Sequence, residues 1–303
     1  MDTSDFDRAL ASHHLAGFWT ARVPVHVPEP AFLWPWADVH AALTEASVRI
    51  GLELAERRAI KLVNPNLPSK ATSRTLQFNF SIVKGGEVAV AHRHSIAAIR
   101  FVVQGHGAWT TVEGLRCDMA PGDLILTPAG TWHDHTNASG EPAIWLDGLD
   151  GPLLQALNGA LFEGHPERSQ PVQGVAGPEL HVPWSRARAE VAAIPPAAED
   201  PHDGARLAYP ALPTLACGLS LLRPGRITVR RRRMCACLYH VAEGSGRTQV
   251  GDRLIEWSRG DTFTVPLWQW HHHENTSGAD AVLFSMNDVP LMRSLQLFRQ
   301  ESA

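Results

Sequence analysis

Two short stretches carry the residues most able to do chemistry, Ala91-His92-Arg93-His94 and Pro128-Ala129-Gly130-Thr131-Trp132-His133-Asp134-His135. Strand side chains alternate faces, so His92 and His94 share one side while Arg93 points away, and His133 and His135 share a side in the same manner. Three or four imidazoles can then converge, and a neutral imidazole nitrogen is a metal ligand. A lone His-x-His has a commoner explanation, since most histidines are bonded within a core or left in solvent. Here the second stretch lies in a frame: Gly122, five residues, Pro128, one residue, Gly130, two residues, His133, three residues, Asn137. Its Gly and Pro residues punctuate turns at both ends of the strand that delivers His133. The two stretches together point to a metal site built from His92, His94 and His133.

The elements that must position them are strands. From Thr75 to about Leu149, Leu76/Phe78/Phe80 alternate with Gln77/Asn79/Ser81, Gly85-Gly86 supplies a turn, and short strands recur through Asp147. This pattern predicts a sandwich or barrel rather than a parallel sheet with helices. If the histidines point inward, Ala98, Arg100 and Val102 share a face of the next strand, and Trp145 and Asp147 share another. An Arg inside a barrel is costly unless a carboxylate or an anionic ligand meets it. Arg100 is therefore a candidate for holding a substrate carboxylate, and a structural salt bridge to Asp147 is the alternative.

Residues 1–74 read as an N-terminal arm with Trp19, Trp34 and Trp36 and a helix around Val39 to Ala46. The charged run Gly51 to Arg58 reads by itself as a solvated face, and Pro65 and Pro68 stop regular structure. The first barrel is expected over 75–160 and a connecting segment over 161–210. A short helix is expected within Leu153 to Phe162, and Ile194 to Gly204 has the composition of a linker. A second barrel is expected over 211–303, because the first pattern returns there. Leu222-Arg223-Pro224-Gly225 repeats the turn before the His strand, and Gly260, Pro266, His271 and Asn275 repeat the second frame. Counted back from the Gly-x-Gly that both halves share, Arg231-Arg232-Arg233 stands where His92-Arg93-His94 stood. Guanidinium has no lone pair for a metal, so this copy is expected to be metal-free, with His271 and His273 as hydrogen-bonded core or interface residues.

The chain has 303 residues, a net charge of −4 and no long basic run beyond Arg230 to Arg233, which argues against nucleic-acid binding. Cys117, Cys217, Cys235 and Cys237 have no paired spacing, the N-terminus lacks an apolar leader, and no apolar run spans a membrane. A cytoplasmic protein with reduced thiols is expected. Unpaired strand edges and the Trp-rich arm suggest a homodimer or homotetramer.

The frame around His133, with Gly86 and the His-x-His, resembles the cupin family. Arg57-Arg58, Asn64-Pro65, Gly86-Glu87-Val88-Ala89, His92-Arg93-His94, Ala97 to Val103, Pro128 to His135 and Trp145 to Asp150 together look like the bicupin gentisate dioxygenases, a group that includes salicylate and 1-hydroxy-2-naphthoate dioxygenases. The likeness runs from about residue 50 to 290. Many cupins add a Glu ligand after the His-x-His. Here Ala98 and Ile99 stand in its place, as in the ring-cleaving group. The chain departs from the group in a shorter N-terminus and in losing the second His-x-His, which leaves one site per chain.

The resemblance implies an all-β bicupin, two double-stranded β-helix (jelly-roll) barrels after a short helical segment. It implies one Fe(2+) per chain and a ring opening with O2 between the carboxyl- and hydroxyl-bearing carbons of a gentisate or 5-substituted salicylate. Three neutral imidazoles on one face of iron(II) leave room for a bidentate substrate and dioxygen. By the same likeness Arg100 would grip the carboxylate, His135 and Asp147 would orient substrate or dioxygen, and Arg57 or Arg58 would close over the pocket. Gln77, Asn79 and Ser81 would line the mouth near the ring's 5-substituent. The contrasting class is a non-enzymatic bicupin that binds or senses a small molecule, which has no need of three open-faced histidines beside a buried Arg.

Overall fold

The computed structural model describes residues 3–20, 29–52, 57–67, 70–194, 206–207 and 212–303. Two barrels, each of two facing sheets, pack back to back. In the first barrel one sheet runs, in spatial order, His181–Val182, Leu124–Thr127, Ala98–Gln104, Ala143–Leu149, Gln77–Val83 and Arg58–Lys61. Its partner runs Phe162–Gly164, Val88–His94, His133–Asn137, Ala108–Val112, Leu115–Met119 and Gly174–Val175. The second barrel repeats this with Leu33–Trp34, Thr262–Val265, Cys237–Glu243, Ala281–Asn287, Ala216–Leu222 and Arg206–Leu207 facing Arg253–Ser258, Ser245–Val250, His271–Glu274, Arg231–Arg233 and Gln300–Ser302.

The alternation of Gln77 to Ser81 has an unusual sense. Phe78 and Phe80 point out of the first barrel, yet they are fully buried, because Leu219, Leu221, Leu238, Phe284 and Met286 of the second barrel cover them. Phe101 stacks on Phe284 with ring centroids 4.9 Å apart. A side chain at Gly148 would run into Met286, so the barrels approach closely there. Apolar outer faces meet across the junction, which leaves the inner faces free to carry polar residues.

The connecting segments are exchanged between the barrels. Leu33–Trp34, which precedes the first barrel, pairs with Thr262–Val265 of the second, whereas His181–Val182, which precedes the second, pairs with Leu124–Thr127 of the first. Each strand runs through a proline into a helix, Trp36–Arg49 or Trp184–Ala193. The first helical N–H of each is accepted by an Asp of the barrel it caps, Trp36 by Asp261 and Trp184 by Asp123, both at 2.8 Å. Val39 and Leu43 bury one helix, Ala187 and Val191 the other.

The segment 161–210 is therefore more than a linker. Three of its short strands and one helix complete the first barrel, and the linker-like composition falls largely on residues 195–205, outside the described residues. The helix expected within Leu153 to Phe162 is Gly151–Ala156. Asp150 and Pro152 start it, and Asn158, with φ of 53°, ends it before Phe162 returns to strand. Of the run from Gly51 to Arg58, residues 53–56 lie outside the described residues, and Arg58 at its end is buried rather than solvated.

Candidate metal centre

His92 owes its position to a bulge. Ala89 lies opposite His135, but His92 rather than Ala91 lies opposite His133, so one extra residue sits between Ala89 and His92. Such an insertion re-aims the next side chain. His94 keeps the same inward side two residues on. The ligand-capable atoms of His92, His94 and His133 lie within 4.8 Å of one another.

Their hydrogen bonds prepare all three in one tautomer. Nδ1 of His92, His94 and His133 meets the carbonyls of Val90, Ile96 and Thr131 at 2.9, 2.6 and 3.0 Å. A carbonyl only accepts, so Nδ1 carries the proton and each Nε2 presents a lone pair. Burial keeps the rings neutral: it pulls His92 down to about 4 and His94 below its ordinary range, with the Arg57 charge acting in the same direction. It holds His133 lower still, assisted by its two histidine neighbours. Neutral imidazoles with converging lone pairs are the donor set a divalent metal requires, and this geometry fits one.

His135, the fourth imidazole, is oriented the opposite way. Its Nδ1 faces the Thr110 hydroxyl at 2.9 Å and Arg100 Nη1 at 3.4 Å. Guanidinium is donor-only, so Nδ1 is the acceptor and the proton sits on Nε2, an atom that is buried without a hydrogen-bond partner. A protonated Nε2 cannot ligate. Three imidazoles, not four, are placed to hold a metal, and the fourth offers a hydrogen bond.

Arg100 pairs with Asp147 through Nε and Nη2, both at 2.9 Å, and gives Nη1 to Thr110 at 2.7 Å. The salt-bridge alternative is thus present. The pair and Thr110 use three of five N–H donors and the second Nη1 N–H faces His135, which leaves one on Nη2, so the pair and a ligand contact can coexist. Asp147 differs. Its Oδ1 takes both Arg100 bonds and its Oδ2 accepts from Trp145 at 2.7 Å and Ser81 at 3.3 Å. Its acceptor capacity is filled, so its link to the histidine cluster runs through Arg100.

Of the two neighbouring arginines, Arg58 is spent elsewhere. It forms a two-pronged pair with Glu87 at 2.6 and 3.0 Å and gives Nε to the Ile50 carbonyl. Arg57 is the one whose charge acts on His92, His94, His135 and Arg100, and its Nε is buried with no hydrogen-bond partner. Gln77 is tied to Asn79 at 2.8 Å, and Ser81 to Asp147. Asn79 lies opposite Asp147 and Ser81 opposite Trp145, so their strand does face the site.

Nothing in their residue types marks Thr110, Thr127 or Phe162 as part of the site. Thr110 lies opposite His135. The buried Thr127 hydroxyl has no hydrogen-bond partner, and Thr127 is opposite Ala98, on the Arg100 side of the strand. Phe162 stacks on His92 with centroids 5.2 Å apart. Threonines are ordinary strand residues, and only the register reveals these two. A separate cleft of about 1090 Å³ between the barrels, lined by Trp36, Phe101, Trp184 and His240 among others, includes none of the clustered histidines.

In the second barrel Arg231 lies opposite His271, as His92 lies opposite His133. His271 keeps the Nδ1 contact to a carbonyl, that of Gln269. Among the described residues the only group of three or more His, Cys, Asp or Glu placed to hold a metal is the one in the first barrel.

Residues 79–148 and 222–287 each match the cupin domain family. A 5-aminosalicylate 1,2-dioxygenase from Comamonas sp is 40% identical over 304 residues, covering 89% of this chain and 81% of that protein. A gentisate 1,2-dioxygenase from Aquipseudomonas alcaligenes is 34% identical over 335 residues, covering 99% and 96%. The crystal structure of a salicylate 1,2-dioxygenase from Pseudoaminobacter salicylatoxidans, as adducts with gentisate, superposes with a TM-score of 0.88 at 25% identity, covering 99% of this chain and 93% of that one.

Proposed function

The chain belongs to the bicupin gentisate- and salicylate-type ring-cleaving 1,2-dioxygenases, and we propose that within that family it is an iron(II) enzyme opening a 2-hydroxybenzoate between the carbons that bear the carboxylate and the hydroxyl. One observation carries this reading, the three Nε2 lone pairs converging beside the buried, partnerless Nε of Arg57 and Nε2 of His135. His92, His94 and His133 would hold the metal, which when bound supplies a chelation point for two adjacent oxygens and the redox chemistry that couples the ring to O2.

The remaining work belongs to side chains. Arg57 and the spare Nη2 N–H of Arg100 meet the carboxylate, and His135 gives its Nε2–H to a substrate oxygen or to dioxygen. Asp147 holds Arg100 in place. Gln77 and Asn79, with the Thr127 hydroxyl, form the polar surround for a ring substituent. That chemistry suits a 5-hydroxyl or 5-amino group, in keeping with the 5-aminosalicylate and gentisate relatives. The absence of paired Cys-x-x-Cys spacing suits a cytoplasm, and the exposed aromatics of the arm, Phe18 and Trp19, fit a homo-oligomer. Among the described residues no helix is long and apolar enough to cross a membrane.

The test is oxygen uptake by iron(II)-loaded protein with gentisate, 5-aminosalicylate, salicylate and 1-hydroxy-2-naphthoate. Stoichiometric O2 consumption with a ring-opened product is expected for at least one of the first two, and His133→Ala should lose both iron and turnover. Turnover retained in metal-free His133→Ala would end the reading.

A further inference from the structure

Thr110 joins two groups of opposite need. Arg100 can only donate, so at 2.7 Å the Thr110 oxygen accepts from Nη1. The threonine's own proton is then left to donate, and two acceptors lie near it: His135 Nδ1 at 2.9 Å and Met119 Sδ at 3.7 Å. A thioether is the weaker acceptor, and a proton on Nδ1 would point toward the Arg100 cation at 3.4 Å. The ordering Asp147 to Arg100 to Thr110 to His135 is therefore the one in which the Thr110 hydroxyl both accepts and donates, and it leaves the His135 Nε2–H, beside the spare Nη2 N–H of Arg100, at the open end.

We propose that Thr110 is a positioning residue for the reaction: its hydroxyl fixes His135 as an Nε2–H donor toward the bound ring substrate and ties that orientation to the Arg100–Asp147 ion pair. The inference rests on the reading that His135 contacts substrate or dioxygen.

The duplication supplies an internal control. Thr248 lies opposite His273 as Thr110 lies opposite His135, with its hydroxyl 2.8 Å from Nδ1. There the donor onto the threonine is the neutral indole of Trp257 at 2.9 Å, not a guanidinium. The Thr–His bond is thus shared scaffold, and among the described residues its coupling to an ion pair and a three-histidine cluster is found in the first barrel. Loss of the bond in the second barrel measures its structural worth without touching the reaction.

The experiment has two parts. Long-range proton–nitrogen spectra of metal-free, imidazole-labelled protein, with the signal assigned through His135→Ala, should show His135 protonated at Nε2 with a hydrogen-bonded Nδ1. A proton on Nδ1, or averaging between the two, overturns the proposal. In gentisate and 5-aminosalicylate assays of iron(II)-loaded protein, Thr110→Val should lower kcat/KM at least about tenfold and Thr110→Ser should restore it to within about threefold. Thr248→Val should leave it unchanged while losing as much thermal stability as Thr110→Val. Unchanged kcat/KM in Thr110→Val, or an equal fall in Thr248→Val, overturns the proposal. His135→Ala separates the two levels of failure. Full activity there defeats the role of His135 itself, whereas impaired His135→Ala beside intact Thr110→Val defeats only the role of Thr110.

Discussion

At the scale of single residues, adjacent arginines with identical chemistry have been given different work by what each touches. Arg58 satisfies Glu87 in a nearly enclosed pair, and the pairing holds the Glu87 carboxyl below its usual range despite burial. Removing one partner of such a pair strands the other, at a cost of about 3 kcal/mol. Arg57 instead keeps a buried donor without a partner. Arg57→Ala should then raise KM, lowering kcat/KM at least about tenfold, or about 1.4 kcal/mol, with little change in melting temperature. Arg58→Ala should lower the melting temperature and leave KM near its original value in whatever protein folds. Thermal melts and steady-state assays on the two variants check this, and a reversal of the two patterns would return the pocket role to Arg58.

At the scale of elements, the strands were largely legible and their register was not. Alternation at Gln77 to Ser81 and the spacing from Gly122 to Asn137 announce strands and their inward faces, because period two is written in residue types. The bulge before His92 leaves no such mark, since Val90 and Ala91 suit a strand whether or not one of them is extra. Thr110 and Thr127 escaped for the same reason: their importance is who stands opposite them. The replacement of His92 and His94 by Arg231 and Arg233 was readable from the count to the shared Gly-x-Gly, and the pairing of Arg231 with His271 follows it. That strand now carries cations where a metal needs lone pairs. Protein loaded anaerobically with iron(II) and desalted should hold one metal per chain, and His271→Ala should retain it. A stoichiometry of two, or loss of metal in His271→Ala, would contradict this.

For the whole molecule, the exchanged arms make the two barrels parts of one structure, and a pair of buried carboxylates tightens the exchange. Thr214, ahead of the second barrel, donates to Asp150 at the end of the first, while Thr75, ahead of the first, donates to Asp288 at the end of the second, both at 2.6 Å. Each Asp also accepts a backbone N–H of its own barrel, Ala97 or Ala236, at 2.9 Å. Burial raises both carboxyls, Asp288 to about 6 from an ordinary 3.8, and its bonds to Thr75 and Ala236 offset this only in part. The native state therefore binds the Asp288 proton more tightly than the unfolded chain does. The resulting stabilisation is complete below about 4 and is lost as pH rises through about 6, on the order of 3 kcal/mol in all. Asparagine can accept from Ala236 and donate to the Thr75 hydroxyl without bearing charge. Asp288→Asn should flatten the dependence of unfolding free energy on pH between about 4 and 6, and should make the protein more stable than the wild type at pH 7. Denaturant titrations across that range decide the matter: an unaltered slope, or a variant weaker at pH 7 than at pH 4 to the same degree as the wild type, would show that the junction does not titrate there.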